Sequence, residues 1–165
     1  MYKPSFITSL IFALQLGVAH ASSEPSLPFE DGRWNGAIKF DLDGSSFLEC
    51  WASTSFADGT TLKLTKRSGG SWHLQLSNPD WRLPPSRQFD VVTIVDFYPE
   101  RIQATAQIRN QTSFEIENLD QISLLQLIEN GHLIKFTADE FTESYNLEGS
   151  AKVIQRIQNC YADHN

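Results

Sequence analysis

Hydrophobic and polar residues alternate along much of the chain, in short runs that end at turn residues. In the first run, Trp34, Ile38 and Phe40 lie on one side, and Lys39 and Asp41 lie on the other. A period of two predicts a strand with one buried face. Three more runs share this pattern and are joined by short turns, which predicts an antiparallel meander. They cover residues 46–54, 60–66 and 71–77.

Residues 78–87 interrupt this rhythm with three prolines, which cannot donate hydrogen bonds to a central ladder. Alternation then resumes in a second series of predicted strands. In a turn of this series, Asn110-Gln111-Thr112 fits the pattern of a glycosylation acceptor. The strands cover residues 88–97, 101–109, 112–117, 132–138 and 141–147.

The period changes to that of a helix in two places. Residues 119–130 place their apolar side chains along one face, and we expect Gly131 to end this helix in a left-handed conformation. A final helix is predicted to begin at Ser150, whose hydroxyl is expected to accept a hydrogen bond from an amide of the first turn.

Together these elements predict a mainly β fold, either an antiparallel β-sandwich or a partly open barrel of about eight strands. One internal helix and a C-terminal helix are expected to pack on the sheet. The chain has 165 residues, and residues 33–165 fit a single β-rich domain. Residues 22–32 are rich in Ser and Pro without periodicity, which predicts an extended leader.

The first 21 residues have the layout of a secretory signal peptide. Lys3 precedes an apolar stretch, and the small residues Ala19 and Ala21 precede a cleavage site. The alternative is a membrane anchor, but Gln15 interrupts a stretch that is already shorter than the roughly 20 residues needed to cross a bilayer. Cleavage after Ala21 predicts a periplasmic or secreted protein with no stable membrane insertion.

The two cysteines, Cys50 and Cys160, both fall on apolar faces, so both thiols are expected to point toward the core. Export into an oxidising compartment favours a disulfide between them. Such a bond closes a loop of about 110 residues and stabilises the fold by about 4–5 kcal/mol in the chain-entropy model. The alternatives are buried free thiols, a catalytic nucleophile or half of a metal site, and the last two lack a His base or further ligands nearby.

Charge limits the partners of the protein. Asp and Glu outnumber Lys and Arg by 20 to 13, a net charge of −7, which disfavours binding to nucleic acid and to anionic membranes because both need clustered cations.

We predict no metal site and no cofactor. Asp41 and Asp43 open like a calcium loop, but the later ligands are missing and a hairpin turn explains them. Asp139, Glu140 and Glu143 can attract a cation or a basic partner, although an exposed acidic loop is the simpler explanation.

Two histidines, His73 and His132, are the candidates for catalysis. Either can serve as a general base if a nucleophile or a carboxylate converges on it, and a small envelope hydrolase would use a carboxylate such as Asp41 or Glu49. The sequence indicates no such convergence. His73 falls on the polar side of its strand and His132 in a turn, so we expect ordinary surface histidines.

Two of the four tryptophans are candidate binding residues. Trp34 and Trp72 alternate with aliphatic residues and are expected in the core. Trp51 lies on the strand face opposite Cys50, and Trp81 lies in the proline-rich segment. An exposed aromatic ring at either position can stack on a sugar or anchor a protein partner, although burial under another layer is the simpler outcome.

A set of features is distributed over most of the chain after the predicted signal peptide. It comprises Trp34, Cys50-Trp51-Ala52, the strand with Trp72, Leu74 and Leu76, Trp81 with Leu83, and the closing helix with Leu147, Gly149-Ser150 and Cys160. In this combination the chain resembles a loose group of small exported proteins of Gram-negative bacteria. The resemblance implies a periplasmic location and supplies no catalytic residues.

We therefore expect a non-catalytic binding or interaction protein of the cell envelope, with an envelope protein or a cell-wall glycan as its partner. One alternative is the small hydrolase described above. Another is a carrier that holds a small apolar ligand inside a barrel, which an interior filled by side chains would exclude.

Overall fold

The fold is described from a computed structural model, in which residues 26–84, 88–96, 98–138 and 141–165 are described. The predicted signal peptide, residues 1–21, lies outside these residues, as do Asp139 and Glu140. The described part contains ten strands and two helices. They are β1 (Ser26–Asp31), β2 (Trp34–Phe40), β3 (Phe47–Ser55), β4 (Thr61–Arg67), β5 (Trp72–Ser77), β6 (Gln88–Val95), β7 (Arg101–Asn110), β8 (Ser113–Glu117), α1 (Leu124–Asn130), β9 (Leu133–Ala138), β10 (Phe141–Asn146) and α2 (Ser150–His164).

All ten described strands belong to one antiparallel sheet. Its order is β1-β2-β3-β4-β5-β8-β7-β6-β9-β10, so β1 and β10 form its two edges and the sheet is not closed. The prediction of a mainly β antiparallel fold is confirmed. The finer prediction, a sandwich or a partly open barrel of about eight strands, is only approximate, because the described strands number ten and form one sheet that is not closed. The meander ends at β5, which pairs with β8 instead of β6.

Part of the predicted leader forms the edge strand β1, which pairs with β2 from Ser26 to Asp31. Pro28 is compatible with this position because an edge strand needs backbone donors on one side only. The ring of Phe29 lies over Gly36, where any Cβ would meet the ring. The sheet therefore begins before Arg33, the position at which we expected the folded part to start.

The sheet curls, as contacts between residues of distant strands show. The hydroxyl of Tyr145 in β10 donates to Thr60 in the β3–β4 turn at 3.4 Å, and its ring lies 4.8 Å from that of Phe56. Trp34 of β2 donates through Nε1 to the carbonyl of Glu148 at 2.9 Å. One face of the sheet thus becomes a concave inner face, which carries most of the buried side chains.

Helix α2 covers the inner face over β3 and β4, which confirms the predicted packing of a C-terminal helix on the sheet. Val153, Ile154 and Ile157 are its fully buried residues. The predicted disulfide is also confirmed, since Cys50 of β3 is bonded to Cys160 of α2. The terminal helix is therefore fixed to an early strand by a covalent bond as well as by packing.

The helix ends differ from the predictions in their details. Helix α1 begins only at Leu124, because Asn118 and Ser123 both have positive φ and turn the chain before it. Gly131 is extended instead of left-handed, with φ −93°, and a Cβ there would clash with Val95. Ser150 does not cap α2, and its hydroxyl donates to the carbonyl of Ile128 at 2.7 Å, which joins the two helices.

Candidate functional site

The inner face contains an aromatic groove between the loop after β5 and strands β6, β9 and β10. Its volume is about 720 Å³, within the roughly 300–1,000 Å³ typical of small-molecule sites. Its apolar lining comes from inward-facing strand residues and from the loop. These lining residues are Trp81, Leu83, Pro84, Phe89, Ile108, Phe114, Ala138 and Phe141.

The loop that carries Trp81 is held by hydrogen bonds at both ends. Asn78 donates through Nδ2 to the carbonyl of Asp58 at 3.1 Å and to the hydroxyl of Thr60 at 3.0 Å. The amide of Leu83 donates to the carbonyl of Gln111 at 2.8 Å. Residues on both sides of Trp81 are thus fixed to neighbouring turns, so its ring is positioned before any ligand arrives.

Four aromatic rings form one packed set around the fully buried Phe114. The ring of Trp81 stacks on that of Phe114 at 5.5 Å with an interplanar angle of 11°. Phe89 meets Phe114 edge-on at 5.1 Å, and Phe141 meets Trp81 edge-on at 5.5 Å. Trp81, Phe89 and Phe141 are half-buried, so parts of their rings are available to a ligand.

Three polar residues complete the groove lining, namely Arg82, Thr142 and Glu143. The guanidinium of Arg82 donates through Nη1 to the carbonyls of Pro79 and Trp81 at 2.9 and 2.6 Å. Glu143 is exposed, and no other described residue forms a hydrogen bond or an ion pair with its carboxylate. An apolar body with a few polar groups at its margin is typical of small-molecule pockets.

The two candidate binding tryptophans do not come together. Trp81 lines the groove on the inner face, whereas Trp51 lies half-buried on the outer face of β3. The ammonium group of Lys63 lies 4.8 Å from the centre of the Trp51 ring, a cation–π contact that occupies one ring face. Trp34 and Trp72 are buried as predicted.

A polar network on the outer face centres on Glu115 of β8, whose side chain is only 6% exposed. Arg67 donates to its Oε1 at 2.7 Å, and Arg109 donates through Nε to its Oε2 at 2.6 Å. Arg109 also bonds Glu117. Two guanidiniums thus compensate two carboxylates, which is what a buried charge requires.

His73 is part of this network and is buried, which corrects the prediction of a surface histidine. Its Nε2 lies 2.8 Å from the hydroxyl of Ser71, and its Nδ1 lies 3.5 Å from Oε1 of Glu115. Polar strand positions usually face water, but here long side chains from neighbouring strands cover the ring. Burial, aided by the positive charge of Arg67, lowers the pKa of His73, and attraction by Glu115 and Glu117 opposes this only in part.

Neither carboxylate that we named for catalysis meets a histidine. The acid beside His73 is Glu115, and the acid beside His132 is Asp96, at 3.7 Å from Nδ1. The side chain of His132 is 81% exposed, as expected for a turn. Glu49 instead pairs with Lys63 at 3.0 Å.

Asp41 belongs to a turn, as the hairpin interpretation predicted. Its carboxylate accepts hydrogen bonds from the amides of Ser45 and Ser46 at 2.8 and 3.0 Å. The bond from Ser46 is the main reason that the pKa of Asp41 is lowered to about 2. The carboxylate is therefore used to fix the turn.

His73, Glu115 and Glu117 place three possible metal-ligand atoms within 4.8 Å of one another. However, Arg109 bonds both carboxylates and Arg67 bonds one of them. A cation would have to displace these guanidiniums, so the cluster fits an internally neutralised network better than a metal centre.

Sequence reasoning did not single out Phe89, Phe114, Phe141, Ser71 or Glu115. The aromatic residues occupy ordinary inward positions of predicted strands, and only the curl of the sheet brings them to Trp81. Ser71 lies two residues before His73, whereas Glu115 is more than 40 residues away and reaches His73 because β5 pairs with β8. A correct prediction of that pairing would have been the signal for the network, whereas the groove also required the curl of the sheet.

Neither of the helices in the described part of the chain has the length and apolar character needed to cross a membrane.

No family model matches the sequence, and no curated protein matches it. Among solved structures, the fold is similar to that of invasion associated protein B from Bartonella henselae, with a TM-score of 0.60 and 15% sequence identity. The match covers 85% of this chain and 100% of that chain. At this identity the likeness concerns the fold alone.

Proposed function

We propose that the protein is an exported, non-catalytic binding protein that holds a small, largely apolar molecule in the aromatic groove. The observation that carries this proposal is the groove itself, a cavity of about 720 Å³ with an apolar lining beside Trp81. Of the functions expected from the sequence, the apolar-ligand carrier agrees best with a groove that the side chains of the inner face do not fill.

The arrangement of the groove supports a small molecule as the ligand. Trp81 and Phe141 are half-buried, so a ligand that covers them removes apolar surface from water, at about 25 cal/mol per Å². Because the loop of Trp81 is fixed by hydrogen bonds at Asn78 and Leu83, binding orders few additional groups, which favours affinity.

The disulfide supports export, because such bonds persist in oxidising compartments. The predicted signal peptide agrees with this location. A periplasmic or secreted site would also give the protein access to envelope lipids, glycans and small apolar metabolites.

The test is titration of the purified mature protein with N-phenyl-1-naphthylamine, a neutral apolar fluorophore. We expect saturable binding, weakened about tenfold or more by Trp81→Ala, since loss of a buried aromatic contact costs on the order of 1.5–3 kcal/mol. The matched control is Trp51→Ala, which removes a tryptophan from the outer face and should leave the affinity unchanged.

The result has three clear readings. Without saturable binding to the unmodified protein, the proposal is wrong. Equal losses in Trp51→Ala and Trp81→Ala would place the probe outside the groove. If soluble cell-wall oligosaccharides bind instead, and Trp81→Ala abolishes that binding, the ligand is a glycan.

A second candidate function, a small hydrolase, is favoured by the contacts of His73. Ser71 lies 2.8 Å from His73, which in turn lies 3.5 Å from Glu115, an order of nucleophile, base and acid that acyl transfer can use. Against it, Glu115 already accepts from two guanidiniums. Labelling of the folded protein by a fluorophosphonate, lost in Ser71→Ala, would establish this activity, and absence of labelling would remove it.

A further inference from the structure

Glu143 is the acidic residue of the described groove lining. No other described residue forms a hydrogen bond or an ion pair with its carboxylate. It lies on β10 two residues after Phe141 and two before Tyr145, both of which contact inner-face rings. The period of a strand puts these three side chains on the same face. The carboxylate thus stands beside the aromatic rings, at the edge of the sheet.

A second carboxylate contributes negative charge on this side of the molecule. The pKa of Tyr145 is raised to about 12, mainly by burial and to a smaller extent by the charges of Asp58 and Glu143, while the hydrogen bond to Thr60 lowers it. Both carboxylates therefore act on the same phenol. Asp58 is itself bound by the amide and hydroxyl of Thr60, which leaves Glu143 as the acceptor that a ligand can reach.

The positive charge in the lining is arranged differently. Arg82 turns its Nη1 toward two carbonyls of its own loop, at 2.9 and 2.6 Å. Its guanidinium is held against the backbone of residues 79–81, while Glu143 has no such partner among the described residues. These bonds leave the charge of Arg82 in place but occupy its Nη1, so the carboxylate of Glu143 is the group that gives up no bond when a ligand arrives, which favours a cation. Aromatic faces such as that of Trp81 also attract cations.

We infer that the groove selects amphipathic cations, in which an apolar body lies on the aromatic rings and an ammonium group pairs with Glu143. This inference rests on the proposed function and names the ligand class. The net charge of −7 acts in the same direction, because it raises the local concentration of cationic ligands.

The test compares three probes that share one apolar chain: nonylammonium, nonanol and nonanoate, each titrated by calorimetry. We expect nonylammonium to bind about two- to fivefold more tightly than nonanol, as for a partly exposed ion pair, and nonanoate to bind most weakly. Glu143→Gln should bring nonylammonium to the affinity of nonanol and leave nonanol unchanged. Added salt should reduce the preference in the unmodified protein.

The matched control is Glu30→Gln, which makes the same charge change at an exposed position of the opposite edge strand. It should preserve the cation preference, because only the overall charge has changed. If nonanol binds and the cation has no advantage, or if nonanoate binds best through Arg82, the inference is wrong while the apolar groove stands. If none of the three probes binds, the proposed function itself fails.

Discussion

The inner face of the sheet has two halves that are completed in different ways. Over β3 and β4, helix α2 lies on the sheet, Cys160 is bonded to Cys50, and Ala52 is completely buried. Beside β6, β9 and β10, the cover is the loop of Trp81, and a cavity of about 720 Å³ lies beneath it.

The difference shows what decides whether an inner face closes. A helix presents a continuous stripe of side chains that interlocks with the sheet, as Val153, Ile154 and Ile157 do. A short loop with prolines brings fewer side chains. The rings of Phe89 and Phe141 each meet Phe114 edge-on, and space remains beside them. The covered half is therefore closed by packing, whereas the groove half keeps the space that the proposed ligand would occupy.

Removal of the disulfide should give the largest effect and act on the covered half. In the double variant Cys50→Ala and Cys160→Ala we expect the free energy of unfolding to fall by about 4 kcal/mol, because the bond closes a loop of 110 residues. Urea titration measures this loss. At urea concentrations where the variant stays folded, affinity for the naphthylamine probe should be retained, and its loss would show that the two halves are not independent.

Enlargement of Ala52 should produce the next largest effect. Ala52→Leu adds three carbons where the side chain is 0% exposed, and such overpacking costs about 1–3 kcal/mol. Thermal and urea unfolding measure the change. A neutral result would mean that the α2-covered half contains unused space, and the contrast between the halves would disappear.

The two halves also differ in how far the sequence predicted them. Alternation located the strands from β2 to β10, and the positions of Cys50 and Cys160 on apolar faces predicted the disulfide. These are local signals. The expected oxidising compartment then favours a bond between the two cysteines. The covered half was therefore largely predictable.

The groove and the network depend on pairings between distant segments. Nothing near His73 in sequence indicates that Glu115 will lie beside it, because the loop over residues 78–84 and strands β6 and β7 come between. β1 was missed because Pro28 argues against a strand unless the strand is known to be an edge. Trp81 was named from its loop, but its two partner rings, Phe114 and Phe141, required the curl of the sheet.

The third prediction concerns the pH dependence of stability. It involves His73 on the outer face of the sheet, which belongs to neither half of the inner face. Burial lowers the pKa of His73 below its usual value of 6.5, so below about pH 6.5 the unfolded chain binds a proton that the folded protein does not. The free energy of unfolding should therefore fall as the pH drops, by at most about 1.4 kcal/mol per pH unit for this one group. Above pH 6.5 the group contributes no pH dependence.

The measurement is urea unfolding between pH 8 and pH 5 for the unmodified protein and two variants. His73→Gln should flatten the part of the profile near pH 6, whereas His132→Gln, a change at a side chain that is 81% exposed, should not. Identical profiles for all three proteins would show that His73 is accessible to protons in the folded state.

Enlargement of Ala138 is the counterpart of the change at Ala52 and should have the smallest effect on stability. Ala138 is half-buried in the groove lining, so Ala138→Leu has room for its added carbons. We expect a gain of about 0.5–1 kcal/mol, since each newly buried methylene contributes up to about 0.8 kcal/mol. The same leucine occupies ligand space, so affinity for N-phenyl-1-naphthylamine should fall at least about tenfold. We expect Ala52→Leu to destabilise the protein, and Ala138→Leu to stabilise it and to block binding. If both changes destabilise the protein, the groove half is as tightly packed as the half covered by α2.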